Sequence, residues 1–178
     1  MLPVVTAAVV LIGAPGSGKS SVLDVLAMLL EIDGVAHGAI ESEQLARGFP
    51  LLPGHDWTEQ LAAVLELQHD AGRELFLIAA TPESDEELRA VIVAAGSERR
   101  LVVCLSAPAE VVAERLQRRE PSRWPGKARL IAHARALAAT IPRLDGIDLV
   151  IDTSERDAEA VAGEVYARMR LEGLCVTR

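Results

Sequence analysis

Residues 4–20 read VVTAAVVLIGAPGSGKS, and this stretch decides how the chain folds. The apolar run Val4 to Ile12 predicts a buried strand, and Gly13 to Ser20, GAPGSGKS, matches the pattern G-x-x-x-x-G-K-[ST] in full. A helical pattern follows from Lys19 to Glu31, so the motif has the strand-loop-helix context that a phosphate-binding loop requires. The glycines let successive backbone N–H groups turn inward around phosphate oxygens, and the helix adds its positive dipole end. Lys19 supplies a mobile charge for the β and γ phosphates, and the Ser20 hydroxyl a ligand for Mg²⁺. The nucleotide contacts expected from this loop are Gly13, Ala14, Pro15, Gly16, Ser17, Gly18, Lys19, Ser20 and Ser21.

Working outward, further strand-like runs occur at Val35 to Ile40, Leu75 to Ala80, Leu101 to Ser106 and Asp148 to Ile151. Helical patterns separate them, at Glu43 to Arg47, Trp57 to Ala71, Asp85 to Ala95, Pro108 to Arg119 and Lys127 to Thr140, and Arg156 to Arg170 closes the series. Five strands joined by helical crossovers predict an α/β fold, a parallel sheet covered on both faces. Half of the residues are hydrophobic and only 3% aromatic, so that core is built from Val, Leu and Ala. A chain of 178 residues suits one domain, 1–178, with ligands along the carboxyl edge of the sheet.

The net charge of -8 offers no basic footprint for nucleic acid, and no run reaches the length of a membrane span. Residues 1–12 lack a basic leading segment and run into the phosphate loop, so they read as a strand and the expected location is cytoplasmic. Cys104 and Cys175 fit no metal spacing and read as core or tail thiols.

Two segments break the periodicity and read as loops beside a ligand: Gly48 to Asp56, and Glu120 to Gly126, EPSRWPG. Arg115 and Arg119, four residues apart, fall on one helical face at the mouth of the site. The stretch ERLQRREPSRWPGKA, residues 114–128, resembles the arginine-bearing lid of the small-molecule kinase branch of P-loop proteins. That branch contains adenylate, shikimate, gluconate and adenylylsulfate kinases and chloramphenicol phosphotransferase. DLVIDTS, residues 148–154, is similar to the last strand and adenine-side loop of the same group, which brings in Thr153.

The resemblance implies a lid at about 115–127 and an acceptor region at about 41–57. It implies Arg115 against the adenine face and Arg119 on the transferring phosphates, with Arg118 and Arg123 as further contacts. It also places an acidic residue at the end of the second strand, as a base for the acceptor hydroxyl or an organiser of Mg²⁺ through water. Glu41 fits that position and Glu43 is the reserve. Arg47 is the natural anchor for an anionic acceptor, and His55 and Trp57 are further candidates in the apolar stretch FPLLPGHDW. The third strand, LFLIAAT, lacks the Mg²⁺-ordering aspartate of motor and GTPase branches, with Thr81 as a stand-in for a metal-bound water. No N-K-x-D segment reads guanine, so ATP is the expected nucleotide.

The sequence therefore points to an ATP- and Mg²⁺-dependent transfer to a small-molecule hydroxyl, with Lys19, Glu41 and Arg119 as catalytic residues. The rivals are an ATP-binding regulator without transfer and a simple ATP hydrolase. Lys19 is expected to face solvent in the empty loop. Any helical face is open to a homodimer contact.

Overall fold

The computed structural model describes residues 5–45, 47–48 and 56–175 of the chain. Five strands, β1 (Val5–Ile12), β2 (His37–Glu41), β3 (Leu75–Ala80), β4 (Ser97–Ser106) and β5 (Leu149–Asp152), pair in parallel in the order β2-β3-β1-β4-β5. The helices are α1 (Lys19–Ile32), α2 (Ser42–Leu45), α3 (Asp56–Asp70), α4 (Asp85–Ala95), α5 (Ala109–Arg119), α6 (Lys127–Thr140) and α7 (Ala158–Leu171). A short 3-10 turn, Ile141–Arg143, follows α6.

The period of two along each central strand divides the core. Val9 and Leu11 of β1, Leu75 and Leu77 of β3, and Leu101, Val103 and Leu105 of β4 face one side. There they meet Val22, Leu23, Leu26 and Leu30 of α1 and Val161, Val165 and Met169 of α7. The intervening residues, Ala8, Val10, Ile12, Phe76, Ile78, Val102 and Cys104, face the other side, against Leu61 and Leu65 of α3, Leu88 and Val91 of α4 and Leu137 of α6. Both faces are covered, so these strands read as unbroken apolar runs and lack a hydrophobic-polar alternation. A small third cluster joins Val112 and Leu116 of α5 to Ala134 of α6.

Several boundaries differ from the sequence reading. The fourth strand begins at Ser97, four residues before the apolar run, because Val5, Ala7 and Ala8 of β1 continue to pair with Ser97, Arg99 and Arg100. Backbone pairing there extends beyond side-chain burial. The second strand ends on Glu41, opposite Ala79, and the last on Asp152, opposite Ser106, each one residue beyond the apolar run. The short second helix starts at Ser42 and ends at Leu45. Most of the loop expected over Gly48 to Asp56, with His55, lies outside the described residues.

The span expected as a lid is the end of α5, a seven-residue connection and the start of α6. Lys127 is buried, and its ammonium donates to the carbonyls of Gln117 (2.7 Å) and Glu120 (2.8 Å), capping the open C-terminus of α5. A Cβ on Gly126 would fall 2.5 Å from the Trp124 ring, so this glycine lets the indole pack over the turn. Residues 120–126 line none of the clefts beside the phosphate loop. The arginine-bearing element is thus a pinned helical hairpin, and it is α5 itself that borders the site.

Lys127→Met should lower the unfolding free energy by about 1–3 kcal/mol, since it strips a charged donor from two helix-end carbonyls. Urea denaturation with an unchanged midpoint would contradict the capping role.

Candidate active site

At the carboxyl edge of the central strand the chain turns into the phosphate loop. Two of its glycines are sterically required. A Cβ on Gly13 would meet the Leu105 carbonyl oxygen at 2.5 Å, and one on Gly16, whose φ is 85°, would meet the Val112 carbonyl oxygen at 2.9 Å. The loop is pressed between β4 and α5, so only bare backbone fits.

Helix α1 opens without a side-chain cap, from Gly18 at φ 101°. By contrast, Ser84 caps α4 by accepting from the Glu87 N–H, and Asp157 caps α7 by accepting from the Ala160 N–H. In α1 the first internally satisfied N–H is that of Val22, bonded to the Gly18 carbonyl at 3.0 Å. The N–H groups of Lys19, Ser20 and Ser21 are therefore left for an anion. The Ser17 N–H is used inside the loop, on the Ala14 carbonyl (3.0 Å), and the Ser17 hydroxyl is buried without a partner among the described residues.

Lys19 corrects the sequence expectation. It is only 8% exposed, folded back so that Nζ donates to the carbonyls of Gly13 (2.9 Å) and Ala14 (3.4 Å), with Glu43 Oε1 at 3.7 Å. The loop turns these carbonyls inward, and they solvate the ammonium in place of water. Burial dominates and holds the Lys19 pKa below its ordinary value, with Glu43 and Glu41 pulling it partly back.

A second arginine-centred network fixes the loop from the other side. Arg115 Nη1 donates to the Gly16 carbonyl (3.3 Å) and the Thr153 hydroxyl (3.2 Å), and Nη2 to the carbonyls of Thr153 (2.5 Å) and Ser154 (3.5 Å). Thr153 is 3% exposed, and its hydroxyl donates toward the Ser17 carbonyl (3.0 Å) and the Ser106 carbonyl (3.3 Å). Asp152 Oδ1 accepts from the backbone N–H (2.8 Å) and hydroxyl (2.6 Å) of Ser154, bonds that hold its carboxyl below the ordinary range. The DTS sequence thus shapes the loop that Arg115 ties to the phosphate loop. Thr153, expected as a nucleotide contact, chiefly buttresses that loop from behind.

Three adjoining clefts surround the phosphate loop. The central one is lined by the loop, Lys19, Ser20, Ser21, Glu41, Glu43, Ala79 and Arg119. On one side lies a cleft with an apolar floor of Val22, Ala158 and Val161, bordered by Arg115, Arg119 and Thr153. On the other, Ser42, Glu43, Trp57, Thr81, Glu83 and Glu87 line a third. Glu41 has no ion pair or hydrogen bond among the described residues. Glu43 is engaged, facing Lys19 and accepting a hydrogen bond from the Thr81 hydroxyl.

Other expected residues lie elsewhere. Arg119 borders the central cleft, but its guanidinium is paired with Glu120 Oε1 at 2.6 Å. Arg118 pairs with Glu114 on the exposed side of α5. Arg47 and Arg123 are exposed and line none of the three clefts. The sequence reading did not place Glu83 and Glu87 beside a cleft, because an acidic run before a helix reads as a start signal, as in part it is. It also missed Lys127, a lysine whose burial no local pattern announces.

For Mg²⁺, the oxygen donors at hand are the exposed Ser20 hydroxyl and the Glu41 carboxylate, both hard ligands suited to that ion. Among the described residues no three His, Cys, Asp or Glu side chains gather to hold a metal by themselves. The donor set fits an ion that arrives with phosphate oxygens and keeps several waters.

This sheet order, bare helix start and Gly-rich loop define a P-loop nucleotide-binding protein of the kinase-like type. A family model described as AAA domain matches residues 9–144, and the chain belongs to that family. Among curated proteins none matches the chain. Solved structures with the same fold include an unliganded sugar kinase from Janibacter sp. HTCC2649, at 22% identity and TM-score 0.66, covering 93% of this chain and 95% of that one. An APS kinase from Mycobacterium tuberculosis, in complex with AMPPNP and APS, aligns at 22% identity and TM-score 0.63, over 94% and 99% of the two chains. Shikimate kinase from Acinetobacter baumannii, in complex with shikimate, aligns at 17% identity and TM-score 0.59, over 96% of each. At these identities the likeness establishes the fold. No helix among the described residues is long and apolar enough to cross a membrane.

Two outcomes follow from the loop geometry. Because its pKa is depressed, Lys19 makes stability rise with pH as the solution passes from its folded value toward the ordinary 10.5. Lys19→Met should remove that rise and leave the nucleotide-free melting temperature no lower than wild type below it. A fall of several degrees would show that the ammonium is a structural support. Arg115→Ala should weaken ATP binding by about 10- to 100-fold through loss of the charged hydrogen bonds that fix the loop. Calorimetric titration giving wild-type affinity would refute that tie.

Proposed function

We propose that the chain is an ATP-dependent phosphotransferase that moves the γ-phosphoryl group of ATP to a hydroxyl of a small molecule. The observation that carries this reading is the unpaired Glu41 carboxylate, facing Lys19 and Ser20 across the central cleft, which opens on one side toward an apolar cleft and on the other toward a polar one. A hydrolase needs no second organic pocket, and a pure nucleotide binder needs no free base beside the phosphates. The fold shared with sugar, APS and shikimate kinases supports the same reading.

The residues divide the work. The N–H groups at the start of α1 grip the phosphates, and Lys19 exchanges the carbonyls of Gly13 and Ala14 for phosphate oxygens when nucleotide enters. The nucleoside lies over Val22, Ala158 and Val161, with the edges of the Arg115 guanidinium committed to carbonyls and its plane left to stack on the base. Arg119 turns from Glu120 to the transferring phosphoryl group, where its charge counts most. Glu41 accepts the proton of the attacking hydroxyl. Ser20, with Glu41 nearby, would hold Mg²⁺, which would supply charge neutralisation.

The acceptor enters beside Trp57 and is not anchored by Arg47, which lines none of the clefts. The expected setting is the cytoplasm, where ATP is abundant.

Glu41→Gln should cut acceptor-dependent ADP formation by about 10²- to 10⁴-fold while leaving ATP affinity nearly intact, as removal of a positioned base does. Equal rates for wild type and Glu41→Gln would contradict the base. ATP binding without any acceptor-stimulated ADP formation would favour a regulatory binder, and ATP hydrolysis that no hydroxyl compound accelerates would favour a hydrolase.

A further inference from the structure

We infer that the nucleoside cleft beside the phosphate loop does not read the edge of the base, so that it accepts GTP as it accepts ATP. This rests on the placement of the nucleoside in the proposed reading and widens the phosphoryl donor from ATP to purine nucleoside triphosphates. The transfer is the same from either donor. The acceptor oxygen bonds to the γ phosphorus, the bond to the β–γ bridging oxygen breaks, the nucleoside diphosphate leaves and the hydroxyl proton passes to Glu41.

Adenine carries an amino donor where guanine carries the O6 acceptor, and guanine adds an amino donor at N2. Telling them apart takes a fixed donor or acceptor opposite those positions. The described residues lining the cleft include no Asp, Glu, Asn, Gln or His. Five lining side chains can form hydrogen bonds, and none is turned to a base edge. The Thr153 hydroxyl lies among the carbonyls of Ser17 and Ser106 and the Arg115 guanidinium, and Arg115 donates to the carbonyls of Gly16, Thr153 and Ser154. Arg119 pairs with Glu120 Oε1 at 2.6 Å and, like Ser21, also borders the central cleft, on the phosphate side. The Ser17 hydroxyl is packed against the loop backbone, where a Cβ on Gly13 would fall 2.5 Å from it.

The main chain of the β5–α7 connection is equally engaged. The Thr153 N–H donates to the Ser106 carbonyl at 2.8 Å, and its own carbonyl receives Arg115 at 2.5 Å. The Ser154 N–H goes to Asp152 Oδ1 at 2.8 Å, and its carbonyl receives Arg115 at 3.5 Å. Each main-chain donor and acceptor of these two residues thus has a protein partner. What the cleft offers a base is the apolar floor of Val22, Ala158 and Val161 and the plane of the Arg115 guanidinium. Both meet the face of a ring, which every base has. A donor from the open first turn of α7 would meet N7, an acceptor that adenine and guanine share. The sequence has no guanine-reading N-K-x-D segment, and the described lining of the cleft holds no adenine reader either.

The test is calorimetric titration of the full chain with the magnesium complexes of ATP, GTP, ITP and inorganic tripolyphosphate at one salt concentration. A site that hydrogen-bonds a group rejects the analogue lacking it by about 10⁴- to 10⁵-fold, whereas contact through ring faces should keep the three nucleotides within about threefold of one another. All three should bind roughly tenfold or more tighter than tripolyphosphate, since the stacked base adds to the phosphate contacts. A preference of about tenfold or more for ATP or for GTP overturns the inference, because the edge is then read. Tripolyphosphate binding as tightly as the nucleotides overturns it too, because the base then lies outside the cleft. In parallel, Lys19-dependent formation of ADP and GDP is measured with a mixture of hydroxyl compounds. Transfer from both donors supports the inference, and transfer from ATP alone overturns it while leaving the phosphotransferase reading in place. Equal binding of ATP and GTP with no Lys19-dependent transfer from either overturns the phosphotransferase reading and leaves the unread base edge supported.

Discussion

The uncapped start of α1 is the constraint that the rest of the molecule serves. Three N–H groups point out of the helix with no oxygen among the described residues to receive them, directly beyond a strand that is buried on both faces. Leaving them bare costs stability, and the surrounding chain holds the arrangement in place. β4 and α5 press on Gly13 and Gly16 from one side, and the Arg115 and Thr153 network ties the loop to the β5–α7 connection. Lys19 is solvated by the loop's own carbonyls. Those carbonyls meet the charge of Lys19, while the N–H groups at the start of α1 remain open to an anion.

Much of this was legible in the sequence because the signals were local. The phosphate loop names its strand, its helix and its ligand in seventeen residues, and the apolar runs of β3 and β4 are unbroken because helices cover both faces. The kinase-like fold follows from these. The position of Glu41 was legible too, one residue past an apolar strand that points its end at the loop.

What the sequence left hidden depends on contacts between distant segments. Arg115 and Thr153 are 38 positions apart, and only their meeting shows that the threonine buttresses the loop. Arg118, Arg119 and Arg123 look alike as charges in a row, yet only Arg119 borders the clefts, because α5 turns Arg118 outward onto Glu114. Lys127 reads only as the start of a helical pattern, and its burial emerges where two helix ends converge. Lys19 was misjudged for a related reason: the carbonyls of the loop itself are an alternative to water that spacing does not reveal. Glu83 and Glu87 line the cleft beside Trp57 while joining at the start of α4, a meeting with Ser42 and Trp57 that only the fold brings about.

The central claim is that this site transfers a phosphoryl group to carbon-bound oxygen. Phosphorus NMR of the protein with Mg·ATP and a mixture of hydroxyl compounds reads that event directly. The account predicts a phosphomonoester resonance that grows with ADP and is absent with Lys19→Ala. Inorganic phosphate alone, or unchanged ATP despite saturating binding, would contradict it.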